Sequence, residues 1–481
     1  GIGTLPIILY GTETQKLEYG PKLATGDWFG SYCLTEPGAG SDANSGKTKA
    51  VLSEDGTHYK ISGQKMWISN AGFASVFIVF ARIEDDKNIT GFIVPNDPSN
   101  GITMGDEERK LGIHASSTRQ VFFNDTNVPV DHMLAGRGEG FKIAMNALNV
   151  GRIKLGAACL DAQRRVISCS VKYANERIQF NTPIAQFGAI KEKLARMATS
   201  CFAGESATYR AANDVELKIK SFEAEGLSHQ QAELKGVEEF AIECSIIKVG
   251  ASEDIQSCAD DGIQIYGGMG FSAETPIESA WRDARIGRIY EGTNEINRML
   301  SVGMLLKKAM KGKIDLMGAV MRATGEIKNQ QSETSDTFQG DLSAEIIQVK
   351  NLKKVFLILT GSAFQKYGAE LEKHQQVLLS LADILIETYF AESALLRTLK
   401  NIGEENDAES QKAMTKLYVF DATEIVLRKG KEIIGNIANV KEKTKLLKGV
   451  HQLCLYEDLP DVISLKTQIA DLLIAENKYC F

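Results

Sequence analysis

The sequence predicts an α+β fold: a small antiparallel β-domain, then a bundle of long helices, then a second, C-terminal helical domain. Two observations lead to this prediction. Between residues 28 and 130, alternating and β-branched runs are separated by Asp-Gly, Asn-Asp-Pro and Ser-Asn-Gly turns. After Phe141, apolar residues recur every three or four positions over segments that are too long for strands. With 481 residues, the chain is also long enough for roughly two to four domains.

The β-domain is predicted for residues 28–130, with strands that include residues 57–61, 76–81, 91–94 and 120–123. Residues 1–27 are interpreted as the end of an N-terminal helical domain. Because the chain opens at Gly1 in the middle of a predicted element, we expect most of that domain to precede Gly1. The helical bundle is predicted for residues 131–310, with helices at Ala144–Leu160, Gln163–Arg177, Gly188–Asn213, Gln230–Asp260 and Asn294–Lys308.

The polar stretch Lys328–Asp341 is rich in Gln, Ser, Thr and Asp and indicates a linker, which is predicted for residues 311–340. Residues 341–481 are predicted as a helical extension with helices at Ala344–Ala363, Leu371–Leu399 and Asp407–Gly435. One side of the second of these helices carries an apolar stripe: Val377, Leu381, Ile384, Leu385, Phe390 and Leu395. We expect this stripe to pack against the first bundle. The alternative is docking on a membrane, for which the basic segment Arg428–Lys448 would supply positive charge.

Composition excludes several classes of function. The formal net charge of −7 provides no basic excess to neutralise phosphates, which argues against a general nucleic-acid binder. The eight cysteines form no Cys-x-x-Cys pair, so the sequence indicates neither a disulfide framework nor a zinc site, and a reducing compartment is expected. The longest apolar runs, such as Val355–Leu359, are far shorter than a membrane span, and no cleavable signal is visible.

The strongest functional signal is the stretch Arg288–Glu295, which follows a glycine-rich run. Glu291 lies between an aromatic ring, Tyr290, and Gly292, just before Thr293, a predicted helix N-cap. The ring can exclude water and raise the pKa of the carboxyl, and the glycine lets a ligand approach the backbone. This combination suits a general base. The simpler interpretation is that Glu291 only complements the positive end of the next helix.

Three further segments contain candidate binding residues. Tyr32–Asp42 joins a predicted strand to a turn whose glycines leave backbone N–H groups open to an acceptor, although its composition is also that of an ordinary loop. Trp67, in the string Trp-Ile-Ser, would usually be a core residue of a strand. Arg177, near a predicted helix C-terminus, needs no function to explain it.

Taken together and in this order, these strings resemble the acyl-CoA dehydrogenase family, and the resemblance extends from Gly1 to about Lys308. It implies an acyl-CoA dehydrogenase-like fold, FAD as the cofactor and Glu291 as the catalytic base. The residues that it implies for FAD binding are Tyr32, Cys33, Leu34, Thr35, Gly40, Ser41, Trp67, Ile68, Ser69, Arg177, Phe180, Gln264, Gly267, Gly268, Thr293 and Glu295. For the substrate it implies Ser41, Asn149, Arg152, Tyr290 and Gly292.

The resemblance also implies a homodimer. In the family, the arginine that matches Arg177 pairs with the FAD pyrophosphate, a role that suits its fixed fork of donors. The segment that matches Gln264 and Gly267–Gly268 reaches the same FAD across a dimer interface. Arg177 and Gln264–Gly268 are therefore expected to meet one FAD from opposite chains.

The reaction implied is α,β-dehydrogenation of a fatty acyl-CoA in fatty-acid β-oxidation, in which Glu291 takes the α-proton while the β-hydride passes to FAD. Some family members carry their base on an earlier helix, but the matching position here is Gly151. The helical block after residue 310 resembles that of very-long-chain members, so a long or very-long-chain substrate is expected. The implied electron acceptor is an electron-transferring flavoprotein.

Two alternatives share the fold: an acyl-CoA oxidase that uses oxygen, and a stress-response flavoprotein that associates with DNA. Rapid peroxide formation without an added acceptor would favour the first, and a salt-dependent gel shift the second. The acidic net charge and the intact Glu291 segment argue against the second. The expected location is the cytoplasm if the protein is bacterial, and the mitochondrial matrix or inner-membrane face if it is eukaryotic. A weak peripheral membrane contact is also expected, and no binding of nucleic acid.

Overall fold

The computed structural model of the protein describes residues 1–328, 340–404, 408–456 and 458–481. Contacts between Cα atoms divide the chain into two compact units. The first unit comprises residues 1–151 and 215–240, and the second comprises residues 152–214 and 241–481. The predicted β-domain, 28–130, lies inside the first unit together with residues 1–27, and the predicted extension, 341–481, lies inside the second. The predicted domain boundaries stay predictions.

The first unit contains an eight-stranded sheet and short helices. Its helices are α1 (Leu5–Tyr10), α2 (Glu13–Thr25) and, later in the chain, α5 (His229–Glu239). Its strands are β1 (Gly30–Cys33), β2 (Lys49–Leu52), β3 (His58–Ser69), β4 (Val76–Ile83), β5 (Thr90–Pro95), β6 (Ile102–Met104), β7 (Thr118–Pro129) and β8 (Met133–Leu134). The sheet has the order β6-β7-β3-β2-β4-β5-β8, and β1 pairs with β4 beside this path.

Most strand pairs are antiparallel, as predicted, but β1 and β2 both run parallel to β4. The sheet is therefore mixed, which corrects the expectation of a purely antiparallel domain. The reason lies in β4, where nearly every residue is buried. Residues Phe77 and Val79 enter one apolar core of the unit, and Ile78 and Phe80 enter another, so both faces of the strand are covered. Continuous apolar strands of this kind accommodate parallel neighbours.

The second unit is helical. Two 37-residue helices, α3 (Gly140–Glu176) and α4 (Gly188–Ala224), supply residues to it, and a short hairpin of β9 (Ile178–Gln179) and β10 (Thr182–Pro183) separates them. The other helices are α6 (Ala241–Tyr266), α7 (Pro276–Ala284), α8 (Asn294–Met310), α9 (Leu316–Lys328), α10 (Ser343–Tyr367), α11 (Gln375–Gly403), α12 (Glu409–Ile437), α13 (Val440–Leu453) and α14 (Val462–Glu476). Among the described residues, no helix combines the length and the apolar character needed to span a membrane.

Three boundaries differ from the sequence-based predictions. The predicted helices 144–160 and 163–177 are one continuous helix, α3, while the predicted helix 230–260 is divided at Phe240 into α5 and α6. The stretch 311–340, expected as a linker, contains α9, because Leu316 and Ala323, seven positions apart, both face an apolar core. The rest of that stretch, residues 329–339, lies outside the described residues.

The extension helices share their apolar cores with the bundle helices of this unit. One core joins residues of α3, α4 and α6 to α11, α12 and α14, and a second joins α8 to α9, α10, α11, α12 and α13. In the stripe predicted on α11, only Phe390 enters the first core fully, whereas Val377, Leu381, Ile384 and Leu395 lie in the second. Because both cores include bundle helices, the stripe packs against the first bundle as expected, and in the second core also against other extension helices.

The basic segment 428–448 does not form one amphipathic surface. It covers the end of α12 and the start of α13, and its predicted apolar residues Ile433 and Ile434 are core residues, 1% and 3% exposed. Lys429 makes ion pairs with Asp383 and Glu432, so this lysine neutralises acidic neighbours. Lys431 is exposed on α12, and the other exposed lysines of the segment lie on α13, beside Leu447, which is exposed. The apolar face expected for membrane docking is therefore much smaller than predicted.

Candidate active site

Glu291 lies in a sharp turn of the second unit, between a short 3-10 segment and α8. Its φ angle is +57°, and Gly292 follows with a φ of +81°, so two consecutive residues adopt the left-handed conformation. This conformation is unfavourable for glutamate and natural for glycine. Thr293 then caps α8, as predicted, by accepting a hydrogen bond from the Ile296 N–H at 3.3 Å. The turn therefore needs support from surrounding side chains.

Three side chains supply that support by donating to carbonyl oxygens of the turn. Arg152 Nε donates to the Glu291 carbonyl at 3.3 Å. Lys248 Nζ donates to the Gly292 carbonyl at 2.8 Å. Asn297 Nδ2 lies within hydrogen-bonding distance of the carbonyls of Glu291, Gly292 and Thr293, at 3.3, 2.8 and 3.1 Å. The cations of the site thus contact the backbone of the turn.

One oxygen of the Glu291 carboxyl lacks such donors. This oxygen, Oε2, is buried and accepts no hydrogen bond from the described residues. Burial raises the pKa of this carboxyl to about 7, against the opposing positive charges of Arg152, Lys248 and Lys154. A carboxylate with this pKa can accept a proton near neutral pH, because its basicity is matched to the operating range. The rise in the pKa of Glu291 that the sequence analysis expects from exclusion of water is therefore present.

Beside the turn, Tyr290 borders a cavity of about 400 Å³ within the second unit. The cavity lies among α3, α6 and α7 and has a mostly apolar lining that includes Leu155, Cys159, Val166, Ile255 and Ile277. Burial raises the pKa of the Tyr290 hydroxyl to about 12, so the ring carries no charge at neutral pH. The turn thus has an apolar space next to it, which suits an alkyl group better than a polar one.

In the first unit, the predicted cofactor segment Tyr32–Ser41 begins on β1 and continues into a loop. The Thr35 carbonyl accepts a hydrogen bond from the Met66 N–H at 3.0 Å. A buried ion pair fixes the next residue: Lys65 Nζ lies 2.7 Å from Glu36 Oε1. The same ammonium also donates to the Leu34 carbonyl at 3.3 Å. Beyond this pair, Gly40 and Ser41 are exposed.

A β-bulge presents the predicted aromatic contact. The register of β3 against β7 shifts between Lys65 and Ile68, and Trp67 within that shift has a φ of +60°. The indole is 53% exposed, so Trp67 is not the core residue that an isolated Trp in a strand would usually be. Ser69 is also exposed, whereas Ile68, 1% exposed, and Cys33 have their side chains in the core of the unit. Only the backbone of these last two residues could reach a cofactor.

The predicted pyrophosphate segment and the glycine-rich segment lie next to each other in the second unit. The Tyr173 and Tyr266 rings, near the C-terminal ends of α3 and α6, stack at 4.1 Å. Arg177 follows α3 closely, and Gly267–Gly268 follow α6 directly. The stacked rings bring both segments to one end of this chain, and the expectation that they meet one FAD from opposite chains stays a prediction.

This end of the unit offers exposed binding groups. Phe180 is 90% exposed with a φ of +50°, and Arg177 and Gln264 are also exposed. A side chain added at Gly267 or Gly268 would meet no atom within 4 Å, so the backbone is open to a ligand here. The other predicted residues are more dispersed: Asn149 is buried on α3, and Glu295 is exposed in the first turn of α8.

The sequence analysis assigned no role to Lys248, Asn297, Glu36 or Lys65. For Lys248, a usable signal was present, since this lysine stands directly between Ile247 and Val249 in a predicted helix and a buried lysine needs a partner. Asn297, three residues after an asparagine in an ordinary helix turn, carries no such signal. The Glu36–Lys65 pair joins residues 29 positions apart, which periodicity cannot reveal.

Fold and site together define a class of protein: a flavoenzyme-like β-domain with long helices and a buried carboxyl poised to accept a proton. Comparison with known families agrees. The chain matches the acyl-CoA dehydrogenase middle domain over residues 31–126 and an acyl-CoA dehydrogenase C-terminal domain over residues 138–305. A second family model, also described as an acyl-CoA dehydrogenase C-terminal domain, matches residues 351–452.

Individual relatives extend this result. A probable acyl-CoA dehydrogenase of Bacillus subtilis is 43% identical over 88% of this chain and 71% of its own length. The human mitochondrial very long-chain specific acyl-CoA dehydrogenase is 34% identical over 88% of this chain, which spans 65% of that relative. The crystal structure of an acyl-CoA dehydrogenase complexed with FAD from Bacillus anthracis matches with a TM-score of 0.97 at 40% identity, covering 100% of this chain and 81% of that one. The chain belongs to the acyl-CoA dehydrogenase family.

Proposed function

We propose that this protein catalyses the FAD-dependent α,β-dehydrogenation of long or very-long-chain fatty acyl-CoA to trans-2-enoyl-CoA, as a step of fatty-acid β-oxidation. One observation carries the mechanism: the buried Oε2 of Glu291 accepts no hydrogen bond from the described residues, and the pKa of this carboxyl is about 7. In this mechanism Glu291 removes the α-proton of the thioester. The Glu291 backbone N–H serves as a hydrogen-bond donor to the thioester carbonyl, which stabilises the developing negative charge.

The residues present suit FAD. In the first unit, Trp67 offers an exposed ring and Ser69 an exposed hydroxyl. In the second, the exposed Arg177 has the geometry for a pyrophosphate, and Gly267–Gly268 leave room for close approach. FAD, when bound, accepts the β-hydride. The protein's own contribution is to orient the ring, exclude water and hold the proton of the substrate on Glu291.

Three observations support the long-chain substrate. The second C-terminal family model matches residues 351–452, so the extension is itself a family feature. The relatives at 34% identity include very long-chain specific enzymes. The cavity beside Tyr290 has an apolar lining, as an alkyl chain requires. We further propose a homodimer, with an electron-transferring flavoprotein as the electron acceptor and at most a weak peripheral contact with membranes.

The test is turnover of saturated acyl-CoAs of graded chain length with an artificial electron acceptor, in the wild type and in Glu291→Gln. We expect the wild type to prefer long chains and to form little peroxide without acceptor. Glu291→Gln should retain FAD and lose about 10²–10⁴-fold in kcat, because a positioned general base contributes that much. Glu216→Gln, at an exposed glutamate paired with Lys220, is the matched control and should keep wild-type turnover.

Two results would contradict this proposal. Activity of Glu291→Gln within a few-fold of the wild type would show that another group is the base. Rapid peroxide formation with acyl-CoA and no added acceptor would identify an oxidase instead of a dehydrogenase.

A further inference from the structure

Lys248 is an unusual residue for the middle of α6. It follows Ile246 and Ile247, precedes Val249, and is 0% exposed. An ammonium group removed from water costs free energy unless acceptors replace its hydration. Simple packing would be served better by an apolar residue at this position, so the contacts of the ammonium should explain why a lysine stands there.

Both described acceptors of Lys248 belong to the segment that carries Glu291. Its Nζ atom donates to the Gly292 carbonyl at 2.8 Å and to Asn294 Oδ1 at 2.7 Å. Asn294 is in turn held by Ser252 and Glu253, since its Nδ2 atom donates to their side chains at 3.1 and 3.0 Å. The lysine therefore ties α6 to the turn and to the first residue of α8.

The turn requires such a tie because Glu291 and Gly292 are both left-handed. A non-glycine residue in this conformation persists only when neighbouring contacts fix it. Arg152 and Asn297 hold the Glu291 carbonyl, at 3.3 Å each, and Lys248 holds the next carbonyl along. With both carbonyls fixed, the direction of the Glu291 Cα–Cβ bond is determined.

We propose that Lys248 is a positioning residue for the reaction: its ammonium anchors the Glu291–Gly292 turn through the Gly292 carbonyl, and its charge favours the carboxylate form of Glu291 without bonding to that carboxylate. This inference rests on the proposed role of Glu291 as the base. The charge acts at a distance, so it stabilises the anion while Oε2 stays open to a proton. A direct ion pair would occupy the oxygen that the α-proton needs.

The groups that act electrostatically on Lys248 come from three elements. Arg152 and Cys159 are on α3, Glu291 is in the turn, and Glu253 is on α6. Burial and then Arg152 lower the pKa of Lys248 to about 8, while Glu291 opposes this shift. The lysine is therefore protonated at neutral pH, where the anchoring and the charge act together.

The experiment compares Lys248→Met, Lys248→Gln and Lys248→Arg with Lys154→Met in FAD-loaded protein, measuring kcat, KM and the pH dependence of kcat/KM. Lys154 is the matched control because its charge also favours ionised Glu291, less strongly, from an exposed position. We expect Lys248→Met to lose about 10- to 100-fold in kcat with little change in KM, as for a lost hydrogen bond from a charged donor. The acid limb of its profile, the pH range in which kcat/KM falls as the base is protonated, should move upward by about one pH unit. The reason is that a cation favouring the carboxylate is gone.

The other variants separate anchoring from charge. Lys248→Gln retains a donor but no charge, so its acid limb should shift as in Lys248→Met while kcat falls less. Lys248→Arg should restore the acid limb, and Lys154→Met should shift it less than Lys248→Met does, because Lys154 acts less strongly on Glu291. If Lys248→Met does not fold, Lys248→Gln decides the matter by the same shift.

An unshifted acid limb in both neutral variants would overturn the proposal, as would a loss of kcat that only follows loss of FAD. Failure of the proposed function looks different. In that case Glu291→Gln itself would retain turnover, whatever the Lys248 variants do.

Discussion

Glu36 in the first unit and Glu291 in the second are both largely removed from water, yet their chemistry is opposite. Burial acts to raise the pKa of Glu36, but Lys65 and the hydrogen bonds from Thr48 and Lys47 outweigh it, so the net pKa is lowered. At Glu291 burial prevails and the pKa rises to about 7. Both sites contain a buried lysine. The difference is the target of its ammonium: the carboxylate in one case, a backbone carbonyl in the other.

This comparison shows how one pair of residue types can serve structure or catalysis. A lysine that bonds directly to a carboxylate fixes a loop and occupies one of the oxygens that could accept a substrate proton. A lysine that bonds to the neighbouring backbone fixes the loop equally well and leaves the carboxylate available. Buried ion pairs are therefore informative about function only when the contacting atoms are named.

The largest expected difference between the two glutamates is in the effect of their substitution on thermal stability. Glu36→Gln leaves Lys65 buried without its anion, which costs about 3–5 kcal/mol, so the thermal midpoint at pH 8 should fall by roughly 10 °C. Glu291→Gln should match or exceed the wild-type midpoint at pH 8. A carboxyl whose folded-state pKa is raised stabilises the fold at low pH and loses that contribution as pH rises through about 7. Equal thermal midpoints for the two variants, measured by calorimetry, would contradict the proposed difference between Glu36 and Glu291.

The pH dependence of turnover should report Glu291 alone. Because the carboxylate is the active form, kcat/KM should rise about tenfold per pH unit well below pH 7 and level off above it. The lowered pKa of Glu36 makes its contribution to stability persist at neutral pH and disappear only as pH falls below the usual glutamate range. A profile that is flat from pH 5.5 to 8.5, with FAD retained throughout, would assign the proton transfer to another group.

A smaller effect should follow from changing the first cation that acts on Glu291. After burial, Arg152 has the largest influence on the pKa of this carboxyl, and it opposes the rise. Arg152→Gln should therefore move the acid limb upward by about one pH unit, and kcat should fall as the turn loses a donor. Arg322→Gln, at an exposed arginine paired with Asp315, is the control and should reproduce the wild-type curve. A downward shift in Arg152→Gln would contradict the electrostatic account.

Much of the fold could be predicted because it depends on local pattern. The long helices follow the spacing of apolar residues, and the strands follow alternation and turn residues. Pairing in the sheet could not be predicted in the same way, since the parallel neighbours of β4 depend on contacts between distant segments. The division at Phe240 was missed because α5 and α6 carry a continuous apolar pattern on either side of it.

In the candidate site, too, residues in contiguous motifs could be predicted, and residues that meet only through the fold could not. Glu291 and its turn were found because the motif is contiguous, and Trp67 because it is a rare residue in a known string. Cys33 and Ile68 stay predicted cofactor contacts through their backbones only, because alternation along a strand turns their side chains into the core. Lys248 and Asn297 reach the turn from 43 and 6 positions away from Glu291, and no local pattern connects them to it.

Gly250, two positions after Lys248 on α6, lies against the ring of Phe390 from α11. A Cβ atom added at Gly250 would approach Phe390 Cζ to 2.3 Å, closer than any real contact. In evolution, these two positions cannot vary independently, because a larger residue at 250 requires a smaller one at 390. The extension thus restricts which sequences the catalytic helix can adopt. A lineage that lost the extension would be free to change Gly250, and one that kept it would not.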